Sequence, residues 1–281
     1  MAGGVNAMDL DEVRRNWELM GAQNPMWAIL TARTHWDREA FFETGRQQVG
    51  QILAHLTSIS APVLFGRALD FGCGIGRLTQ ALCEHFQECD GVDIAEAMIA
   101  QACAVNRFGD RCRYHRNSRN DLGLFPDESF DFVLSLIVLQ HMQPRYSSRY
   151  IVEFLRVLRM GGVAYFQIPS GVASARSALP ATESSAAAAT IPITISPVQA
   201  PQPETPATAV SQVPSVARDG RELNTGGTEG RVEMAGIPRP LVIELLQRIG
   251  GEVLACARDD MAGPVFESYT YVVRKVALPK P

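Results

Sequence analysis

The stretch ALDFGCGIGRLTQAL, residues 68–82, carries the clearest structural pattern in this sequence. In it an apolar run ends in Asp70, three glycines alternate with other residues, and a helical pattern follows. Glycine permits tight turns and leaves no side chain between the backbone and a ligand, and the first N–H groups of a helix can face that ligand. The stretch therefore predicts a strand, a ligand-binding loop and a helix in succession.

Strand and helix patterns continue to alternate from Gly66 to Ser170. This alternation is typical of βαβ units, in which helices cover both faces of a parallel sheet. Further along, PRPLVIELLQRIGG (238–251) predicts a helix, and EVLACARDD (252–260) and ESYTYVVRK (267–275) predict two more strands. We expect one α/β domain.

Composition divides the chain into three parts. Residues 1–60 are rich in aromatics and helical patterns, with a helix expected from about Asp37 to Leu56, and we expect them to form an N-terminal helical cap. Residues 171–230 are dominated by Ala, Pro, Ser and Thr, which bury little surface, so a flexible insertion is expected there. The core is then made of residues 61–170 and 231–281.

Charge and cysteine usage limit the classes of partner. The formal net charge is −4, which gives no basic surface for nucleic acid. No leader or membrane-spanning pattern is visible, and the six cysteines form no CxxC pair. We therefore expect a cytoplasmic protein with reduced thiols, no metal site, and no nucleic acid or membrane partner.

Two acids select the ligand class. Asp70 stands just before the glycines, where it would repel a dinucleotide pyrophosphate but suit the ammonium of an amino acid moiety. Asp93 ends the next apolar run, CDGVDI (89–94), where an acid can bind both hydroxyls of a ribose. Arg77 occupies the last glycine position of the dinucleotide pattern GxGxxG. S-adenosylmethionine has the ribose and the ammonium and carries no phosphate.

At these residues the sequence resembles the class I S-adenosylmethionine-dependent methyltransferases of the small-molecule, methyltransferase-11/12-like type. The resemblance covers about 105 residues, from Gly66 to Ser170, and it rests on four segments in the expected order: LDFGCGIGRLT, GVDIAEAMI, FPDESFDFVLSLIVLQHM and YIVEFLRVLRMGGVAYFQIPS. It implies a Rossmann-like, mostly parallel sheet of seven strands with the last strand antiparallel, helices on both faces, an N-terminal helical extension and an insertion after strand five.

The resemblance also implies where the cofactor lies. The glycine loop would hold the methionine and ribose parts, the acid after the second strand the ribose hydroxyls, and apolar neighbours the adenine. The family often has an Asp after strand three for the adenine amino group, where this chain reads YHRNSRNDLGLF, so Asn117 or Ser118 is the candidate and Asp121 lies further on. The expected cofactor residues are Asp70, Gly72, Cys73, Gly74, Gly76, Arg77, Asp93, Ile94, Met98, Asn117, Ser118 and Leu136.

Candidates on the acceptor side are fewer. His141 follows the fourth strand, whose end would face the cofactor, so it is a candidate general base; packing or capping is the alternative role. Gln140 could orient a polar group of the substrate. Trp36 and Phe41 could cover an apolar acceptor, or simply be core, and Arg46 could approach the cofactor carboxylate.

The expected function is methyl transfer to an O, N or C nucleophile of a small molecule. Holding the reactants at attack distance can supply much of the acceleration, so a dedicated base is not obligatory. Two alternatives remain: a cofactor- or partner-binding module without turnover, and an NAD(P)-dependent oxidoreductase. The acceptor and the oligomeric state are left open.

Overall fold

The structure is a computed structural model that describes residues 9–172, 221–224 and 229–278. Its centre is a seven-stranded sheet, and a separate pair of short strands lies after residue 220. The strands are β1 (Arg67–Phe71), β2 (Glu88–Asp93), β3 (Cys112–Arg116), β4 (Phe130–Ser135), β5 (Leu158–Val172), β6 (Arg221–Asn224), β7 (Glu229–Val232), β8 (Gly251–Asp259) and β9 (Phe266–Lys275).

The sheet has the order β3-β2-β1-β4-β5-β9-β8. Strands β1 to β5 pair in parallel, whereas β9 runs antiparallel to both β5 and β8. The expected Rossmann-like fold with an antiparallel last strand is therefore confirmed. Chain order reverses at β1, which lies between β2 and β4, and ligands of such sheets bind beyond the carboxyl ends of the strands at this point.

Helices flank the sheet and form the N-terminal extension. The predicted helix over 37–56 is found at 38–58, where the Asp37 carboxylate caps it by accepting a 2.9 Å hydrogen bond from the Ala40 N–H. The helices are α1 (Leu10–Gln23), α2 (Pro25–Ile29), α3 (Arg38–Ser58), α4 (Arg77–Leu82), α5 (Glu96–Ala104), α6 (Pro144–Val157) and α7 (Arg239–Arg248).

Hydrophobic residues pack on both faces of the central strands. Leu69 and Val133 belong to the cluster on one face, while their chain neighbours Ala68, Phe132 and Leu134 belong to the cluster on the other. Alternate residues of a strand point to opposite faces, so a strand covered on both sides is apolar throughout. This packing fixes the ends of β1 and β4 as a rigid base for the loops beyond them.

Helix α1 is fastened to α5. The first residue before α5, Ala95, offers no capping side chain, and the Glu18 carboxylate instead accepts a 3.0 Å hydrogen bond from the Ala97 N–H. At the other end, the Gln101 side chain donates a 2.6 Å hydrogen bond to the Gly21 carbonyl. The negative charge of Glu18 stabilises the N-terminus of α5. Together the two hydrogen bonds hold α1 against α5.

Most of the predicted insertion, residues 171–230, lies outside the described residues. Within its last part, β6 pairs antiparallel with β7, and the backbone of β7 lies beside α1. The chain then returns to the sheet, where the Ala235 N–H donates to the Gln140 carbonyl at 2.8 Å and the Ile237 N–H donates to the Pro169 carbonyl at 2.9 Å. The returning segment is thus bonded to the carboxyl-end side of β4 and β5.

None of the helices that the structure describes is long and apolar enough to cross a membrane.

Candidate cofactor and acceptor cleft

A cleft that opens to solvent lies beyond the carboxyl ends of β1, β2 and β4 and is covered by α1; its empty space, together with the solvent at its mouth, is about 890 Å³. Its lining includes the ionisable side chains of Arg77, Asp93, His141 and Tyr150 and the amide of Asn117. Most of the other lining residues are apolar. A mostly apolar cleft with a few polar groups is typical of a small-molecule site.

The glycine loop, residues 72–76, forms the floor of the cleft. Gly72, Gly74 and Gly76 all have positive φ angles, of 77°, 53° and 83°. A Cβ atom on Gly72 would stand 2.2 Å from the Val138 side chain, so neither the conformation nor the space admits a larger residue. The Gly72 N–H also donates a 2.7 Å hydrogen bond to the Val92 carbonyl, which ties the loop to β2.

Asp93, the last residue of β2, faces the same loop. Its two carboxylate oxygens accept hydrogen bonds of 2.9 Å from the N–H groups of Gly74 and Ala95. Burial raises the pKa of this carboxyl group, while those two N–H groups oppose the shift. Each oxygen has a second acceptor position, so the carboxylate can also take hydroxyl groups of a ligand.

We call the glycine loop together with Asp93 the cofactor edge of the cleft. The opposite side is formed by residues 136–142, which follow β4 and which we call the β4 wall. Ile137 in this wall has a φ angle of 60°, a strained conformation for a β-branched residue. Its N–H donates a 3.1 Å hydrogen bond to Oε1 of Gln167 on β5, so a buried side chain holds the wall in place.

The His141 ring lies at the end of the β4 wall. Trp17 of α1 packs edge-on against it, with ring centroids 5.3 Å apart. Burial lowers the pKa of His141 to about 4, and a backbone group of Glu233 opposes that shift. The imidazole is therefore neutral at pH 7.

Comparison with known proteins identifies the domain. A family model described as a methyltransferase domain matches residues 69–166, about a third of the chain. This chain carries a class I S-adenosylmethionine-dependent methyltransferase domain. A magnesium protoporphyrin IX methyltransferase from Synechocystis PCC 6803, solved with bound S-adenosylhomocysteine, shares the fold of this domain with a TM-score of 0.56 at 15% identity, covering 95% of this chain and 100% of that one.

Other relatives agree with this assignment. An S-adenosylmethionine-dependent methyltransferase from Leishmania major has a TM-score of 0.57 at 12% identity and covers 94% of this chain and 82% of its own. A ubiquinone biosynthesis O-methyltransferase from Pseudomonas syringae pv. tomato is 28% identical over 136 residues, 48% of this chain and 57% of that protein. The match thus spans a little over half the length of that curated relative.

The cofactor of this methyltransferase domain is S-adenosylmethionine, and the cofactor edge fits it chemically. Asp93 has acceptor positions that ribose hydroxyls would fit. Gly72 and Gly74 have no side chain, and a Cβ atom on either would meet Val138 or Ile29, so the backbone is open to close approach by a ligand. Ile94 and Met98 offer apolar surface beside Asp93. No group of His, Cys, Asp or Glu side chains within the described residues is placed to hold a metal ion.

Eight of the twelve cofactor residues expected from the sequence line the cleft: Gly72, Gly74, Arg77, Asp93, Ile94, Met98, Asn117 and Leu136. The other four are placed elsewhere. Cys73 is buried with its Sγ toward Gly91, Gly76 lies against the Tyr114 hydroxyl, and Ser118 is exposed. Packing on neighbouring strands explains the first two positions, because Cys73 lies against Gly91 of β2 and Gly76 lies against Tyr114 of β3.

Asp70 is the fourth, and its carboxylate lies behind the loop. The side chain is only 2% exposed and accepts a 2.6 Å hydrogen bond from the Thr79 hydroxyl of α4. Burial raises its pKa to about 6. The Asp70 carboxylate is therefore not placed for a direct contact with the ammonium of the cofactor, and a contact through water stays a prediction.

Arg77 joins the loop to the N-terminal extension. Its guanidinium donates a 2.8 Å hydrogen bond to the side chain of Gln48 and a 3.3 Å hydrogen bond to that of Thr44, both on α3. Burial lowers the pKa of Arg77 to about 10, although Asp70 opposes the shift. Its neighbour contacts indicate that it orders the loop as well as lining the cleft.

Three of the residues expected on the acceptor side, Trp36, Phe41 and Arg46, lie away from the cleft. The Trp36 indole donates to the Leu30 carbonyl at 2.9 Å, and Phe41 is fully buried between helices. Arg46 forms 2.6 Å ion pairs with Glu39 and Glu43 on its own helix. Helical spacing alone did not reveal that this face of α3 packs inward.

Helix α1 supplies the covering residues instead. Leu10, Val13 and Trp17 line the cleft, and Trp17 is the only aromatic residue of the described residues 9–60 that does so. The spacing of these three residues, three and four apart, marks one face of a helix and was available in the sequence. The sequence did not show which part of the fold this face of α1 covers.

Proposed function

We propose that this protein transfers the methyl group of S-adenosylmethionine to an oxygen atom of a small, largely apolar molecule. The observation that carries the proposal is one cleft with two chemically different sides. Asp93 and the glycine loop lie at one side, and the β4 wall with His141 lies at the other. When bound, the cofactor supplies an electrophilic methyl group on a sulfonium sulfur.

The cofactor half of the proposal rests on hydrogen bonding. The Asp93 carboxylate is already oriented by the N–H groups of Gly74 and Ala95, so it would accept ribose hydroxyls without reorganising. Asn117 would lie beside the adenine, its N–H bonded to the Asp93 carbonyl at 2.8 Å. These contacts would fix one reactant against the floor of the cleft.

The acceptor half rests on the apolar cover. Trp17, Val13 and Leu10 of α1 face the cleft opposite Val138 and Met142, and they would exclude water around an apolar acceptor. Oxygen is favoured over nitrogen or carbon as the acceptor atom because the matched curated relatives are named O-methyltransferases. The formal charge of −4 favours a small acceptor over nucleic acid.

Isothermal titration with S-adenosylmethionine, S-adenosylhomocysteine and NADH tests the cofactor half. We expect both sulfur compounds to bind in the micromolar range and NADH not to bind. Transfer of labelled methyl from S-adenosylmethionine to a panel of hydroxylated aromatics, with the corresponding anilines as the matched control, tests the acceptor half.

Three outcomes would contradict the proposal. Binding of NADH alone would favour the oxidoreductase alternative. Binding of S-adenosylmethionine with no transfer to either set of acceptors would favour a binding module without turnover. Transfer to the anilines but not to the hydroxylated compounds would overturn the choice of oxygen.

A further inference from the structure

A chain of buried side-chain amides runs behind the β4 wall and ends at His141. Gln167 and Gln140 are both at most 3% exposed. The Gln167 amide nitrogen lies 3.1 Å from Oε1 of Gln140 and 2.6 Å from Oγ of Ser268 on β9. The Gln140 amide nitrogen lies 3.2 Å from Nε2 of His141.

The backbone determines the direction of every hydrogen bond in this chain. The Ile137 N–H can only donate, so the Gln167 atom 3.1 Å from it must be the oxygen. The Gln167 nitrogen then faces Gln140, and the Gln140 atom that it meets must also be an oxygen. The remaining Gln140 nitrogen is a donor, so Nε2 of His141 must accept.

A neutral imidazole carries its proton on one nitrogen only. Because Nε2 accepts from Gln140, the proton lies on Nδ1. Nδ1 is buried, and a backbone hydrogen bond with Glu233 raises the pKa of the ring, as a carbonyl that accepts the ring proton does. Both ring nitrogens therefore face protein groups, Gln140 at Nε2 and Glu233 at Nδ1.

We propose that Gln167 and Gln140 are positioning residues that fix His141 as its Nδ1–H tautomer, so that the ring has no free lone pair to take a proton from the methyl acceptor. The proton of an acceptor hydroxyl then goes to water and not to His141. The acceptor part of this proposal rests on the proposed function. The tautomer part does not.

This role differs from the general base expected from the sequence. A base needs a free lone pair toward the acceptor, and the only lone pair on the neutral ring is occupied by Gln140. Trp17 packs against the ring and limits its rotation away from this arrangement.

Nitrogen-15 NMR of histidine-labelled protein with bound S-adenosylhomocysteine tests the tautomer directly, because protonated and unprotonated ring nitrogens have well-separated shifts. The chain has five histidines, and the spectrum of His141→Asn identifies the resonances of His141. We expect Nδ1 to be protonated and Nε2 not. Protonation at Nε2, or a mixture of the two tautomers, would overturn the proposal.

Variants separate positioning from simple packing. Gln140→Met removes the donor to Nε2 while leaving the Ile137 hydrogen bond, and Gln167→Leu removes the residue that orients Gln140; both should yield a mixture of tautomers. Ser268→Ala removes the other partner of Gln167 and should leave the tautomer unchanged. An unchanged tautomer in Gln140→Met would show that Gln140 does not set it.

Activity gives a second readout once the labelled-methyl panel has an acceptor. The Asn amide nitrogen is as many bonds from Cβ as Nδ1 of His, so His141→Asn keeps a donor but cannot act as a base. We expect His141→Asn, which keeps a donor toward Glu233, to hold kcat within about tenfold of the wild-type value, because positioning of the reactants needs no base. A loss of about 100-fold or more in His141→Asn, equal to the loss in His141→Leu, would return His141 to the role of base. Failure to find any acceptor would contradict the proposed function and leave the tautomer result standing.

Discussion

The cofactor edge and the β4 wall face each other across one cleft, but they are held in different ways. At the cofactor edge, Asp93 accepts hydrogen bonds from backbone groups 19 residues before it and two residues after it. At the β4 wall, Gln167 bonds side chains 27 and 101 residues away. The first region depends on backbone conformation near one loop, and the second depends on side chains brought together by β5 and β9.

The largest effect is expected behind the cofactor edge, at Asp70. Its pKa is raised to about 6 from an ordinary value of 3.8, so the folded state binds the proton more tightly than the unfolded state does between these values. The free energy of unfolding should therefore fall by about 3 kcal/mol as pH rises from 4 to above 6 because of this group. Asp70→Asn should remove that decrease.

Urea denaturation of wild type and Asp70→Asn at several pH values between 4 and 7 measures this difference. The control is Asp110→Asn, a change at an exposed acid in the turn before β3. If Asp70→Asn keeps the wild-type decrease in stability, as the control does, then folding does not raise the pKa of Asp70.

At the cofactor edge itself, Asp93→Ala should weaken S-adenosylhomocysteine binding by about 1 to 3 kcal/mol, because two N–H groups and the ribose hydroxyls lose their acceptor. Isothermal titration gives this value. The matched control is Asp121→Ala, since Asp121 follows β3 but is outside the cleft lining and pairs with Arg119. Similar losses in the two variants would contradict the placement of the ribose.

At the β4 wall, Gln167→Leu should separate stability from cofactor binding. The Ile137 N–H and the amide chain lose their partner, so the free energy of unfolding should fall by about 1 to 3 kcal/mol. Affinity for S-adenosylhomocysteine should stay within about twofold, because the bonds that hold Asp93 are untouched. A large loss of affinity would mean that the two sides of the cleft are coupled.

The smallest effect concerns the helix that covers both sides. Glu18→Gln keeps an acceptor for the Ala97 N–H but removes the charge at the start of α5, so it should cost about 0.3 to 1 kcal/mol of stability. Salt should reduce this difference, as denaturation at low and high ionic strength would show. Glu84→Gln, at an exposed acid, serves as the control. A difference that does not respond to salt would point to packing and not to charge.

Local sequence patterns were sufficient to predict the sheet, the glycine loop and the position of Asp93 at the end of β2. These features depend on local rules: alternating strand and helix patterns, glycines where φ is positive, and an acid at the end of β2. The family match over residues 69–166 and the shared fold confirm the class of domain that the same residues indicated.

The surroundings of the cofactor edge depend on contacts between distant segments, which become visible in the folded chain. Asp70 lies behind the loop because Thr79 of α4 turns its hydroxyl toward it, and Trp17 rather than Trp36 reaches the cleft because Glu18 fastens α1 to α5. The direction of the His141 proton depends on Gln167 of β5, a residue that no local pattern connects to the β4 wall. Contacts of this kind join segments that are far apart in the chain. A periodic pattern indicates which face of a helix or strand is buried, but it does not indicate which residue that face contacts.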